Sequence, residues 1–334
     1  MRVGIAGYGL AGRSFHGPLL KGCGFEVASI LTSNPTRARQ AKDDFPLVSV
    51  VDNFAEFLQQ NLDLVVIATA NKVHAEQSLA AIAKSIPVVI DKPAARTTSE
   101  TLEIFKAARS SKVPVTVFYN RLWDSDSLTI NKVISQGLIG KPFRLDSRFE
   151  RFRPQLNPSS WRENESPENG GGLLLDLQTH LISTALNWFG KAELRNAQIR
   201  KIRGDSEDDV VLTLRHGSGV DSYLSASAIT GSPGPRIRLL GTEGALVIEE
   251  LDPQEALLRA GNFPEDGIWK VPTSSRAFIY KGDSKEEIAS SPGNYGLFYL
   301  AVKASLTNGT PMPITEEQVL EVASIIDKAR DFSA

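Results

Sequence analysis

Three glycines within the first twelve residues constrain this chain more than any other feature. Gly7-Tyr8-Gly9-Leu10-Ala11-Gly12 follows at once on Arg2–Ala6, a short apolar run that reads as a strand. A lone G-x-G-x-x-G carries little weight, but one that closes the first strand of a β-α-β unit is specific. Gly7 permits the tight turn, Gly9 lets the backbone approach a pyrophosphate, and Gly12 lets the next helix sit against the sheet. The helix N-terminus then offers its N–H groups to phosphate oxygens. Gly17-Pro18 is expected to stop or kink that helix early, because proline lacks an N–H and its ring crowds the preceding turn.

Val27–Leu31, Leu64–Ala68, Val88–Ile90 and Val115–Phe118 are further runs apolar on both faces, as buried parallel strands are. Amphipathic stretches alternate with them: Phe54–Gln59, Ala75–Lys84 and Ser99–Ser111, the last opened by a capping box, Thr97-x-x-Glu100. Pro114 suits an edge strand. The expected fold class is α/β, with a doubly wound Rossmann domain over residues 1–120. From residue 121 to 334 the rhythm changes. A helix over Leu128–Gln136, a strand over Phe143–Phe152 and a polar loop lead to Gly170-Gly171-Gly172 and a long helix, Leu173–Phe189. Ala197–Ile202, Val210–Arg215, Asp221–Ser227, Ile237–Leu240 and Ala245–Glu249 then alternate with period two. That pattern predicts an α+β domain with a large open antiparallel sheet. A last helix, Glu316–Arg330, is expected to brace the junction of the two domains.

Composition excludes several classes of function. Lys and Arg number 37 against 39 Asp and Glu, a net charge of −2, so bulk electrostatics favour neither nucleic acid nor an anionic membrane as partner. One cysteine, Cys23, cannot form an internal disulfide or a multi-cysteine metal site. No stretch approaches twenty unbroken apolar residues, and the opening residues lack an export signal's apolar core. A cytoplasmic protein without membrane or metal is expected.

The choice between dinucleotides turns on the end of the second strand, where NAD binders usually place an acid on the ribose 2′-hydroxyl. Here the chain reads Leu31-Thr32-Ser33-Asn34-Pro35, with no carboxylate until Asp43. Ser33, Arg37 and Arg39 instead suit a 2′-phosphate. NADP(H) is the preferred cofactor and NAD(H) the alternative.

Ala68-Thr69-Ala70-Asn71-Lys72-Val73-His74 closes the fourth strand and Ile90-Asp91-Lys92-Pro93 the fifth, where open α/β sheets bind ligands. With these segments the chain resembles the glucose–fructose oxidoreductase/inositol dehydrogenase (Gfo/Idh/MocA) family. Its strand-five motif, Glu-Lys-Pro, is matched by Asp91-Lys92-Pro93, and its glycine run followed by Asp-x-x-x-His by Gly170–Gly172, Asp176 and His180. Tyr119–Asp124, Arg151–Pro154 and Trp161–Glu163 look most like the NADP-dependent scyllo-inositol dehydrogenase branch. Gln178, Thr179 and Ser183 depart from the usual pattern near the expected substrate face.

Asp176 and His180 stand four apart, on one face of the predicted helix, and Ser183 and Asn187 extend the stripe. Leu174, Leu177, Leu181 and Ala185 form an apolar stripe, and the helix lacks Lys and Glu, so its polar face suits a cleft. The pair also fits a packing role between domains, and Lys92 alone also fits an exposed loop lysine. The resemblance implies His180 as general base, Lys92 as its essential partner and Asp176 in support. It implies hydride transfer between a nicotinamide and a secondary alcohol of a cyclic polyol or sugar. Thr69, Asn71, His74, Asp91, Lys92 and Asn120 join the glycine loop (Gly7 to Gly12), Ser33 and Arg37 as expected cofactor contacts. Tyr119, Arg121, Trp161 and Arg162 are the expected substrate contacts. His16 is expected near the nicotinamide and His216 on the surface at a strand end. A non-catalytic dinucleotide or sugar sensor and a redox-assisted glycoside hydrolase are the alternatives. The sheet of the second domain makes a homodimer or homotetramer the expected assembly.

Overall fold

The structure is a computed structural model and describes residues 1–332. Its chain divides into two compact units. The first takes in residues 1–120, 254–272 and 294–319, the second residues 121–253, 273–293 and those from 320 on.

The first unit is built on six strands: β1 (Arg2–Ala6), β2 (Glu26–Leu31), β3 (Ser49–Val51), β4 (Leu64–Ile67), β5 (Val88–Asp91) and β6 (Val115–Phe118). All pairs are parallel, in the order β3-β2-β1-β4-β5-β6, so the winding reverses between β1 and β4. Strands covered on both faces need apolar side chains throughout, and β4 and β6 are buried at every residue. Pro114 precedes an edge strand, as expected. The other edge, β3, is too short to show a period in the sequence. The capping box is half formed. Thr97 accepts the Glu100 N–H at 3.2 Å, while the Glu100 carboxylate takes the Arg96 N–H at 2.9 Å instead of the Thr97 one.

Gly17-Pro18 does not stop the first helix. A π-turn over Gly12–His16 runs straight into α-helix Gly17–Gly22, with Pro18 in its first turn. The wider turn accommodates the ring without ending the helix. The later segments dock by buried polar contacts. Gln254 Oε1 accepts the Tyr295 N–H at 2.7 Å and the Trp269 indole N–H at 3.1 Å, and the Thr116 hydroxyl donates to Ile314 O at 3.0 Å.

The second unit carries eight strands: β7 (Pro142–Glu150), β8 (Ala192–Arg200), β9 (Asp209–His216), β10 (Asp221–Ser227), β11 (Ile237–Gly241), β12 (Gly244–Ile248), β13 (Ala277–Lys281) and β14 (Ser284–Ile288). They lie in the order β14-β13-β12-β11-β7-β10-β9-β8. The sheet is mixed rather than wholly antiparallel, because β7 and β10 pair in parallel. A parallel partner requires a long crossover, which the loop, glycine run and helix between β7 and β8 supply. Strand direction leaves no trace in a period-two pattern. β13 and β14 went unpredicted. The edge strand β14 exposes Ser284, Lys285, Glu286 and Glu287, which hides its period and blunts edge-to-edge pairing.

Candidate functional site

Each glycine of the first loop has a separate reason in the structure. Gly7 has φ +95°, and a Cβ there would lie 2.6 Å from Ala68 O, so only glycine makes the turn. A Cβ on Gly12 would collide with Gly7 O. At Gly9 a Cβ would be in ordinary contact with the Arg37 guanidinium, whose Nη1 is 3.8 Å from where it would stand. A cradle of backbone with a cation at its rim fits a dinucleotide's phosphates. Leu10 is exposed and Ala11 half-buried beside it.

Tyr8 differs from expectation in its side chain. Its ring is buried and its hydroxyl donates to Asp44 Oδ2 at 2.9 Å, so the residue can offer a ligand only its backbone. Burial, then the bond to Asp44, pushes the phenol pKa well up. Asp44 also receives Arg13 Nε at 2.7 Å. Arg37 and Ser33 are exposed at the end of β2, where Asn34 caps the next helix by accepting the Thr36 and Arg37 N–H groups at 3.0 Å.

The loops after β4 and β5 are tied together. His74 is buried, with Nδ1 2.8 Å from Pro93 O and Nε2 3.2 Å from Thr69 O. The Thr69 hydroxyl donates to Gln77 at 2.7 Å, and Asn71 is buried beside it. His74 therefore joins the two strand ends, a role nearer to scaffolding than the expected cofactor contact. Lys92 follows β5 half-buried, its backbone N–H donated to Asp91 Oδ1 at 2.9 Å. Burial would raise the Asp91 pKa, but the nearby His16 imidazole, with Lys92 and His74, outweighs it and holds the pKa low. Tyr119 and Asn120 are buried just past β6, and burial pushes the Tyr119 hydroxyl pKa up.

In the second unit the glycine run opens the helix that bears Asp176 and His180. Gly172 has φ +87°, and a Cβ there would strike the Glu207 carboxylate. The helix then begins as a π-turn, Leu174–Gln178, and becomes α-helical over Thr179–Phe189. Asp176 sits in the π-turn, with Arg162 Nε 3.4 Å from its Oδ1. The Arg162 guanidinium lies 4.5 Å over the Trp161 ring. The structure thus brings Trp161, Arg162 and Asp176 together. His180 is buried, 6.0 Å from Phe149 between ring centroids. Arg121 is buried too, with Nη1 3.3 Å from Asp124 and its Cζ 5.5 Å over that same Phe149 ring.

Two expectations are corrected in this unit. Gln178 and Thr179, expected near the substrate face, are both buried and bonded to backbone. The Gln178 amide is buried and donates to Val210 O at 2.9 Å and Leu224 O at 3.0 Å, while the Thr179 hydroxyl donates to Leu175 O at 2.8 Å. His216 is not a surface residue. Its Nδ1 donates to Gly190 O at 2.8 Å, its Nε2 accepts Ser222 Oγ at 2.9 Å, and burial lowers its pKa.

Comparison with known proteins fits this architecture. Two family models match: the NAD-binding Rossmann fold of the GFO_IDH_MocA oxidoreductase family over residues 1–119, and that family's C-terminal alpha/beta domain over residues 131–331. The chain belongs to the Gfo/Idh/MocA oxidoreductase family. IolW of Bacillus subtilis (strain 168), a scyllo-inositol 2-dehydrogenase (NADP(+)), is 33% identical across 100% of this chain and 94% of its own. The oxidoreductase YdgJ of Escherichia coli (strain K12) is 32% identical across 98% and 94%. The solved structure of the oxidoreductase yvaA from Bacillus subtilis matches with a TM-score of 0.89 and 33% identity, over 99% of this chain and 95% of that one. This Gfo/Idh/MocA oxidoreductase thus carries a Rossmann domain for a nicotinamide dinucleotide.

Some residues around the candidate sites escaped sequence reasoning. Arg236 is buried with its Cζ 4.0 Å over Phe149, and its Nη1 donates to Ser147 Oγ at 2.7 Å. Phe149 is therefore covered by two guanidinium groups and faces His180. Nothing in the spacing of Arg121, Phe149 and Arg236 announces that meeting, since it depends on strand order. Among the described residues no helix is long and apolar enough to cross a membrane, and no group of three or more His, Cys, Asp or Glu is placed to hold a metal ion.

Proposed function

We propose that this oxidoreductase is an NADP(H)-preferring dehydrogenase acting on a secondary alcohol of a cyclic polyol or sugar. The observation that carries the reading is the Arg37 guanidinium beside Gly9, on an edge where β2 ends without a carboxylate. A 2′-phosphate there would meet Arg37 and the exposed Ser33 hydroxyl. The name of IolW, a scyllo-inositol dehydrogenase using NADP⁺, supports the substrate class.

When bound, a nicotinamide dinucleotide supplies the hydride acceptor for an alcohol oxidation. The chain's own residues have the remaining tasks. Lys92 hydrogen-bonds the reacting oxygen and stabilises the charge that develops on it. His180 takes the alcohol proton, a task suited to an imidazole near neutral pH. Asp176 orients His180, and Arg162 braces that carboxylate, with Nε 3.4 Å from its Oδ1. Trp161, Arg121 and Tyr119 complete the substrate contacts in this reading, and Asn71 and Asn120 the cofactor contacts. A cytoplasmic homo-oligomer belongs to the same reading.

Absorbance at 340 nm with NADP⁺ and NAD⁺, followed across a panel of inositols and aldoses, tests it. The expected result is turnover with at least one member, faster with NADP⁺. Lys92→Ala should lose at least about a hundredfold in kcat while still binding NADPH, the scale on which acid–base groups contribute. Undiminished turnover in that variant overturns the mechanism. NADPH binding with no turnover across the panel overturns the substrate class.

A further inference from the structure

Behind Lys92 lies a buried polar chain that the proposed reaction does not use. His16 ends the π-turn of the first helix and is wholly buried. Its Nδ1 is 2.5 Å from the hydroxyl of Tyr299, on helix Gly296–Asn308 of the same unit. The Phe118 ring packs against it at 4.7 Å between centroids. Held on these two sides, the imidazole aims Nε2 at Asp91, whose Oδ1 is 3.7 Å away. Nε2 makes no hydrogen bond at that distance. A shift of about 0.7 Å would bring it within hydrogen-bonding reach. The same Oδ1 accepts the Lys92 backbone N–H.

The direction of the chain follows from its ends. Burial and the nearby Asp91 charge push the Tyr299 pKa far up, so the phenol keeps its proton and can donate it to Nδ1. In the neutral ring Nε2 then carries the other proton and turns it toward the carboxylate, whereas the opposite tautomer would set a lone pair against a negative charge. The titratable and charged groups facing this chain are Asp91 at the end of β5 and Lys92 just after it, His74 after β4, and Cys23 near Tyr299.

We propose that His16 is a positioning residue for Lys92: Tyr299 sets its tautomer, Nε2–H holds the Asp91 carboxylate, and that carboxylate fixes the backbone from which Lys92 projects. The inference rests on the role proposed above for Lys92.

The test uses the full chain and three variants. His16→Phe keeps a ring against Phe118 but removes both nitrogens, Tyr299→Phe removes only the hydroxyl, and His16→Gln restores a donor toward Asp91. The first readout is amide hydrogen exchange, which needs no substrate. In His16→Phe the Lys92 amide should exchange at least about tenfold faster, with Val89 and Ile90 in β5 unchanged, since local opening is read residue by residue. The second readout is turnover. His16→Phe should lower kcat about tenfold with the NADPH dissociation constant within about threefold, His16→Gln should recover part of the loss, and Tyr299→Phe should lose about threefold. A Lys92 amide at the wild-type rate overturns the proposal. So does a common rise at Lys92, Val89 and Ile90, which would mark His16 as merely structural, and so does a faster Lys92 amide with unchanged kcat. Absence of turnover in the wild type would instead sink the proposed reaction, and the exchange measurement would still decide the role of His16. Should His16→Phe fail to fold, Tyr299→Phe is read by the same amide, and an unchanged Lys92 rate there overturns the proposal.

Discussion

Each unit has one helix that opens in a π-turn behind a glycine, and the two turns are built differently. In the first unit the missing Cβ of Gly12 makes room for backbone, the Gly7 carbonyl. In the second the missing Cβ of Gly172 makes room for a side chain, the buried Glu207 carboxylate. The first turn sends His16 inward. The second carries Asp176 itself and leads into His180. A turn closed by backbone is specified by glycines alone, so it can be read locally. A turn closed by a side chain depends on a residue more than thirty positions away.

Replacing the glycines should separate the two constructions most sharply. Gly12→Val places branched carbon against a carbonyl that cannot move without opening the Gly7 turn. It should cost more than about 3 kcal/mol and abolish NADPH binding, the upper end for overpacking. Gly172→Ala meets backbone strain of about 1–3 kcal/mol and a carboxylate that can swing aside. Pairing it with Glu207→Ala should therefore recover part of the loss, measured as melting temperature, because contacting residues couple. No side-chain change should rescue Gly12→Val. Recovery of neither, or of both, would erase the distinction.

That distinction also explains what could be read from the sequence. The Rossmann order, the glycine loop and the end of β5 rest on local patterns: β-branched runs, a turn needing positive φ at Gly7, and a proline at an edge. In the second unit the strands alternate legibly, but the parallel β7–β10 pair and the edge strand β14 do not. The site followed the same rule. Lys92 and the Asp176–His180 spacing were visible, while the Arg121 and Arg236 cover over Phe149 was not. Gln178 is the clearest case. Polar and set between Asp176 and His180, it was expected near the substrate face, yet its amide is a bolt to the carbonyls of β9 and β10. Gln178→Leu should destabilise the chain by about 1–3 kcal/mol, the cost of unmade buried hydrogen bonds. The Michaelis constant of the folded enzyme should stay unchanged. A raised Michaelis constant at unchanged melting temperature would return Gln178 to the substrate face.

In the first unit the corresponding lever is a cation at the rim of the cradle. Arg37 is exposed, so its removal should leave stability alone and act on the ligand. Arg37→Ala should weaken NADP⁺ about tenfold, or about 1.4 kcal/mol, with NAD⁺ within about twofold. Equal loss for both dinucleotides would assign the guanidinium to the shared pyrophosphate and remove the case for NADP preference.

The smallest expected effect concerns two carboxylates that titrate in opposite directions, one in each unit. For Asp44, burial raises the pKa, but hydrogen bonds from Arg13 and Tyr8 more than offset it, and the pKa is lowered. For Glu207, burial raises the pKa, and its backbone hydrogen bond and the charges of Arg330 and Lys201 offset that only in part. A lowered carboxylate stabilises the fold above its unfolded pKa, and that contribution is lost as pH falls through the folded value. A raised one penalises the fold as pH climbs from the unfolded value to the folded one. Asp44→Asn should therefore lower the melting temperature at about pH 7 and lose its effect as pH falls through the folded value, while Glu207→Gln should raise it at about pH 7 and converge with wild type below the unfolded glutamate value. The Asp44 effect is the lesser, since that group is a third exposed and screened by water. If Glu207→Gln destabilised the chain at neutral pH, the ionised carboxylate would be holding the glycine run in place. The second turn would then depend on its side chain's charge as strictly as the first depends on its backbone.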